Sequence, residues 1–261
     1  MSKLKNAPLV EVVFEIRWGK TIKRERELLV EFSQEEQSLM PGKFQLLADK
    51  QGFSQLEVLK NQPPLPHLVK YRYRKDNRGY PLYQLGNGVF TVNQIDYDGF
   101  NYEWESFEND IERGVTLLEE SYPFSIKELP LIDIQLRYRD AVQSNENESL
   151  FDFINNSLEI GAFSLPAALT HDTNVKTDMP MGSVTLQVEC EKPKGNLICR
   201  INSGTHDNAK VFVIDFIVTS KANFFTEISK ESLISWSKSA HEHQRLIFNA
   251  FFKKEILETF S

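Results

Sequence analysis

The side chains most able to do chemistry are charged or imidazole groups set among apolar neighbours. Asp215 lies inside Val211-Phe212-Val213-Ile214-Asp215-Phe216-Ile217-Val218, and an unpaired carboxylate in such a strand would be strongly destabilising. It therefore needs a partner, and Arg137, Arg139 or His241 can supply one. Paired, it is a structural ion pair. Left accessible, it would be a general base or a ligand-binding carboxylate, and Asp215 with His241 is the basis of an enzyme reading.

His241-Glu242-His243 invites a metal reading. Helical zinc sites place their histidines at i and i+4, whereas i and i+2 point about 200° apart on a helix. His241 is therefore expected to be a partly buried, hydrogen-bonded histidine, and no metal is expected. Lys70-Tyr71-Arg72-Tyr73-Arg74-Lys75 interleaves bases with rings, the combination that neutralises phosphates and stacks on bases. On a strand, however, Lys70, Arg72 and Arg74 share one face and the tyrosines the other.

Gly86-Asn87-Gly88 is not followed by the lysine and hydroxyl of a phosphate loop, and reads as a hairpin turn. There is no Gly-x-Ser-x-Gly elbow, no cysteine with a convincing histidine partner and no locally spaced carboxylate pair, so no cofactor is expected. The two cysteines, Cys190 and Cys199, flank Pro193-Lys194-Gly195-Asn196. A hairpin centred there would set them opposite each other, as packed thiols in a reducing cytosol.

The 37 acidic and 30 basic residues give a net charge of -7, which opposes nonspecific attraction to nucleic acid or anionic lipid and favours a protein partner. Apolar content of 41% can furnish a core. The first residues carry no apolar signal region, and no stretch nears the roughly 20 apolar residues that span a bilayer. A soluble cytoplasmic protein is expected; its oligomeric state is left open.

The elements that must position these groups occur in two similar series. Val10, Val12, Phe14 and Ile16 alternate with Glu11, Glu15 and Arg17 as on a half-buried strand. A helix is predicted over Arg24 to Leu39 and ended by Met40-Pro41-Gly42. Strands are predicted over Phe53 to Leu59, Val69 to Arg74, Tyr80 to Leu85 and Val89 to Asn93, with a proline-rich connector at 61–66. Trp104, Phe107, Ile111, Val115 and Leu118 then mark a helix.

The second series predicts a strand over 131–139, a polar loop at 144–148, a short helix near 150–158 and an irregular stretch to Gly182. Strands over 184–190, 197–201 and 211–219 follow, then a long helix. Two stripes mark that helix, Leu233, Trp236, Ala240, Ile247 and Phe251 beside Ile234, His241, Phe248 and Phe252.

Pro8-Leu9-Val10-Glu11-Val12-Val13-Phe14-Glu15-Ile16-Arg17 also reads against Pro130-Leu131-Ile132-Asp133-Ile134-Gln135-Leu136-Arg137-Tyr138-Arg139 at an offset of 122 residues, with the acid, the alternating apolar residues and the final arginine kept. The expected fold is α+β: two tandem β-α-β-β-β-α units, residues 1–125 and 126–261, packed as one body. They would form a curved, mostly antiparallel sheet with long helices on one face. The nearest architecture is the TATA-binding-protein-like arrangement, an analogy of fold alone.

Four segments carry a family resemblance: Asn6-Ala7-Pro8-Leu9-Val10-Glu11-Val12-Val13-Phe14-Glu15-Ile16-Arg17; Gly86-Asn87-Gly88-Val89-Phe90-Thr91-Val92-Asn93 with Tyr97 and Trp104; Leu136-Arg137-Tyr138; and Trp236 with His241 and Phe248. Through them the chain resembles a sporadically distributed, functionally uncharacterised bacterial protein family. Arg139-Asp140 stands where that family's pattern has an apolar residue and an asparagine.

The resemblance brings no chemistry with it. Patchy distribution is typical of mobile defence or toxin-linked genes, which implies a non-enzymatic binding or regulatory protein, including a partner of a toxin or anti-phage defence effector. A nucleic-acid module using Lys70, Arg72 and Arg74 ranks second, and an enzyme using Asp215 and His241 third.

Overall fold

Period-two alternation sets the centre of the molecule. The structure is a computed structural model and describes residues 8–24, 27–63, 65–76, 79–95, 102–145, 148–161, 182–206 and 209–260. In β1 (Leu9–Trp18), Val12, Phe14, Ile16 and Trp18 are buried on one face, and the intervening Glu11, Val13, Glu15 and Arg17 project to the opposite face, where Val13 is buried too. In β8 (Leu131–Gln143), Ile134 and Leu136 are buried, and Gln135, Arg137 and Arg139 alternate with them. The two strands pair antiparallel with Phe14 opposite Leu136.

The remaining strands extend this pair in both directions. They are β4 (Gln55–Val58), β5 (Val69–Arg74), β6 (Leu82–Gly86), β7 (Val89–Ile95), β9 (Ser183–Glu191), β10 (Lys194–His206) and β11 (Ala209–Lys221). The sheet has nine strands in the order β4-β5-β6-β7-β1-β8-β11-β10-β9, and every neighbouring pair is antiparallel. A separate hairpin joins β2 (Lys20–Arg24) and β3 (Glu27–Glu31).

The helices are α1 (Gln34–Ser38), α2 (Met40–Lys50), α3 (Trp104–Ser121), α4 (Leu150–Ser157), α5 (Lys230–Phe251) and α6 (Lys254–Thr259). α3 buries Phe107, Ile111, Val115 and Leu118, and α2 packs Phe44 against Tyr73, Tyr83 and Phe90. Gly114 lets α3 approach closely, since a Cβ there would lie 2.9–3.1 Å from Phe90, Val92 and Tyr83. Under the other half, Phe153 of α4 stacks on Phe212 at 4.3 Å. All these contacts use one face of the sheet. Among the described residues no helix covers the other, and none is long and apolar enough to cross a membrane.

Three local expectations are corrected. The predicted helix over Arg24 to Leu39 is a hairpin followed by α1, because Ser33 and Glu36 form a capping box that starts a helix there. Met40-Pro41-Gly42 opens α2 rather than ending a helix, since proline is tolerated in the first turn, where its missing N–H is not needed. Cys190 and Cys199 are not opposed. The turn falls at Lys192-Pro193, so Cys190 faces Gly195 and Cys199 faces Leu186, and both thiols are free. Of the irregular stretch to Gly182, residues 162–181 lie outside the described residues.

Trp236 anchors α5. It is 7% exposed, and its Nε1 donates to Ser220 Oγ at 2.7 Å. Trp236→Ala should cost about 3 to 5 kcal/mol in denaturant unfolding, whereas a loss below roughly 1 kcal/mol would deny it a core role.

Candidate functional site

The alternation that buries one side of the sheet lines up polar groups on the other. Thr91 Oγ1 lies 3.1 Å from Gln84 Oε1 and 2.5 Å from Asn93 Oδ1. Asn93 Nδ2 donates to Glu11 Oε1 at 3.4 Å, and Arg137 Nη2 donates to Glu11 Oε2 at 3.0 Å. A chain of polar side chains therefore crosses this face from β6 through β7 and β1 to β8, with Thr91 and Asn93 buried at its centre. Beside it, Gln135 Nε2 donates to Glu15 Oε1 at 2.8 Å, and Arg17 pairs with the same carboxylate. Burial raises the Glu15 pKa, and Arg17 opposes the shift.

Asp215 takes Arg139 as its partner through two bonds, Nε to Oδ1 at 2.8 Å and Nη2 to Oδ2 at 3.2 Å. Asp215 is 5% exposed, so this forked pair meets the need for a partner. Arg137 and Arg139 thus serve different carboxylates on the same face. Arg200 sits across from Asp215 on β10 and is exposed.

His241 is on the other side of the sheet. Its ring stacks on Trp104 with centroids 4.0 Å apart and planes within 3°, and its Nδ1 lies 2.8 Å from the Tyr138 hydroxyl. Tyr138 shares a second hydrogen bond, at 2.5 Å, with Tyr102. Burial, then the Arg245 charge, lowers the His241 pKa to about 4, which leaves the imidazole neutral at pH 7. This group ties α3 and α5 to β8. Because Tyr138 and Arg139 are successive strand residues, the sheet itself separates His241 from Asp215, and His241 is not the partner of that carboxylate.

His243 faces Cys190, with Nε2 and Sγ 3.2 Å apart, a cysteine–histidine contact the sequence reading did not anticipate. Burial raises the thiol's pKa, so it stays protonated at neutral pH. Among the described residues, no group of three or more metal-ligating side chains occurs.

In the basic–aromatic strand, Tyr73 is 1% exposed within the core. Arg74 Nη1 meets Glu57 Oε2 at 2.7 Å, and Arg72 Nη1 meets Glu57 Oε1 at 3.5 Å. Lys70 falls at a register irregularity between Val69 and Tyr71, so the strict alternation expected of Lys70, Arg72 and Arg74 is interrupted there.

Gln244 and Asp140 are two of several buried polar groups under the helices. Gln244 falls within the apolar stripe of α5 and donates to the Leu136 and Phe216 carbonyls at 2.7 and 2.9 Å. Asp140 is 3% exposed, its Oδ2 has no partner among the described residues, and burial, then the Asp215 charge, pushes its pKa up to about 8. A protonated carboxyl has one donor and one acceptor, as an asparagine amide offers both.

The Asp140 proton sets a pH dependence. Its pKa is higher folded than the usual 3.8, so its contribution to stability is fully present below about pH 4 and is lost as pH rises through about 8, by roughly 1.4 kcal/mol per unit. Asp140→Asn should remove this slope, so the variant's advantage in thermal melts widens from acidic to alkaline pH. Parallel pH profiles would contradict the assignment.

No family model, curated protein or solved structure matches this chain.

Proposed function

We propose that this chain is a non-enzymatic binding or regulatory protein that recognises another protein through the uncovered face of its sheet. The observation that carries this reading is the polar chain running from Gln84 to Arg137, with the Arg139–Asp215 pair beside it. Its charges are already matched within the protein and Thr91 and Asn93 are buried, so the face offers a partner the half-buried Gln84, Glu11 and Arg137 and the exposed Arg200, without a large field of one sign. Protein interfaces use such complementarity for specificity more than for raw affinity.

We also infer that the chain is a duplicated pair of units, residues 1–125 and 126–261, in a TATA-binding-protein-like arrangement. Outward from β1 the strands run β7, β6, β5, β4, and outward from β8 they run β11, β10, β9. The central apolar residues of the repeated segment, Phe14 and Leu136, face each other across the seam. A partner of a toxin or anti-phage defence effector fits this reading, on the strength of the family resemblance.

The two alternatives have less support. A nucleic-acid module would need rings free to stack beside unpaired bases, whereas Tyr73 is buried and Arg72 and Arg74 share Glu57. An enzyme using Asp215 and His241 would need both in one cavity.

Copurification from the native host, compared between the wild-type chain and Arg200→Glu, tests the reading. A stoichiometric protein should be retained by the wild type, lost with Arg200→Glu and kept with the helix-face variant Lys238→Glu. Tight, salt-sensitive binding to single-stranded nucleic acid would overturn it if Lys70→Ala/Arg72→Ala/Arg74→Ala abolished that binding and cut the salt slope by about two units.

A further inference from the structure

A cleft of about 410 Å³ opens between the β2–β3 hairpin and the end of α3. Its walls combine three aromatic rings, Phe32, Tyr122 and Phe124, with three carboxylates, Glu31, Glu36 and Glu128. Lys20 is the one base in the lining, and it stands opposite Glu31 in the hairpin register.

The walls are fixed in advance. Phe32 packs where Gly19 and Gly88 leave room: a Cβ at Gly88, which has φ +68°, would meet the Phe32 ring at 2.2 Å. Glu36 is held by two bonds, from Trp18 Nε1 at 2.9 Å and from the Ser33 backbone N–H at 2.7 Å. Tyr122 and Phe124 meet edge to face at 5.8 Å. Phe124 is 45% exposed at the mouth, and among the described residues no ion pair reaches Glu128. Burial first, then Glu36 and Glu128, raises the Tyr122 pKa, as expected where negative potential bears on a ring.

Aromatic faces next to carboxylates attract a desolvated organic cation through ring quadrupole and Coulomb terms together. We propose that this cleft is a binding site for an alkylammonium or guanidinium group, carried either by a free small molecule or by a basic side chain of a partner. The site is independent of the uncovered sheet face, and each can fail without the other.

Calorimetric titration of the full chain with butylguanidinium and with acetyl-Ala-Arg-Ala-amide tests it. Saturable binding of at least one probe is expected, weakened about five-fold by Phe124→Ala and by Glu128→Gln and unchanged by the remote Glu189→Gln. Both cleft positions are exposed, so the variants should fold. Binding of the peptide alone would assign the cation to a partner chain, and binding of butylguanidinium alone to a free ligand. No saturable binding of either probe at millimolar concentration would overturn the site, as would binding that survives both cleft variants.

Discussion

The antiparallel register between β1 and β8 is the constraint on which the rest of the structure depends. It joins the five strands on one side to the four on the other, and it sets Phe14 against Leu136 under the helices and Val13 against Arg137 on the uncovered face. A slip of one residue would reverse one strand's facing relative to the other, taking either Phe14 and Ile16 or Leu136 out of the core and bringing Glu11 and Glu15, or Arg137, into it. Phe14, Ile16 and Leu136 are fully buried, and losing a buried side chain of this size costs roughly 1.5–3 kcal/mol. Packing under the helices thus fixes the register, and the register brings Glu11 within hydrogen-bond reach of the diagonally placed Arg137 and Asn93.

The sheet also sorts the chemistry into two compartments. On the uncovered face, charges are hydrogen-bonded in pairs and chains. Under the helices, His241 is held neutral against Trp104, Asp140 keeps its proton, Gln244 bonds two strand carbonyls and Asp110 of α3 is paired with Arg113. Low local dielectric strengthens such bonds and makes an unpaired charge costly.

Much of this fold was legible in the sequence wherever one period dominates. The alternation in Leu9–Trp18 and Leu131–Gln143 and the stripe of α3 each bury one face, so pattern and structure coincide. Between 24 and 39 the apolar residues fit two periods, and the deciding signal was the Ser33–Glu36 capping box. The cysteine register turned on where a two-residue turn falls. The polar chain was not legible, because a strand's outward residues acquire partners only once register is known: Arg139 was a candidate for Asp215, but nothing local distinguished it from Arg137. Gln244 was hidden in the opposite way, a polar residue inside an apolar stripe whose purpose depends on carbonyls more than a hundred positions away in one case.

Native-state hydrogen exchange on the β1–β8 pair tests the central role of this seam most directly. Amides of Phe14, Glu15, Gln135 and Leu136 should exchange only through global unfolding, with the same free energy on both strands and slower than those of the edge strands β4 and β9. Exchange of the seam amides at lower free energy than those of β6 and β10, with the halves opening separately, would show that the two sides are stable without each other.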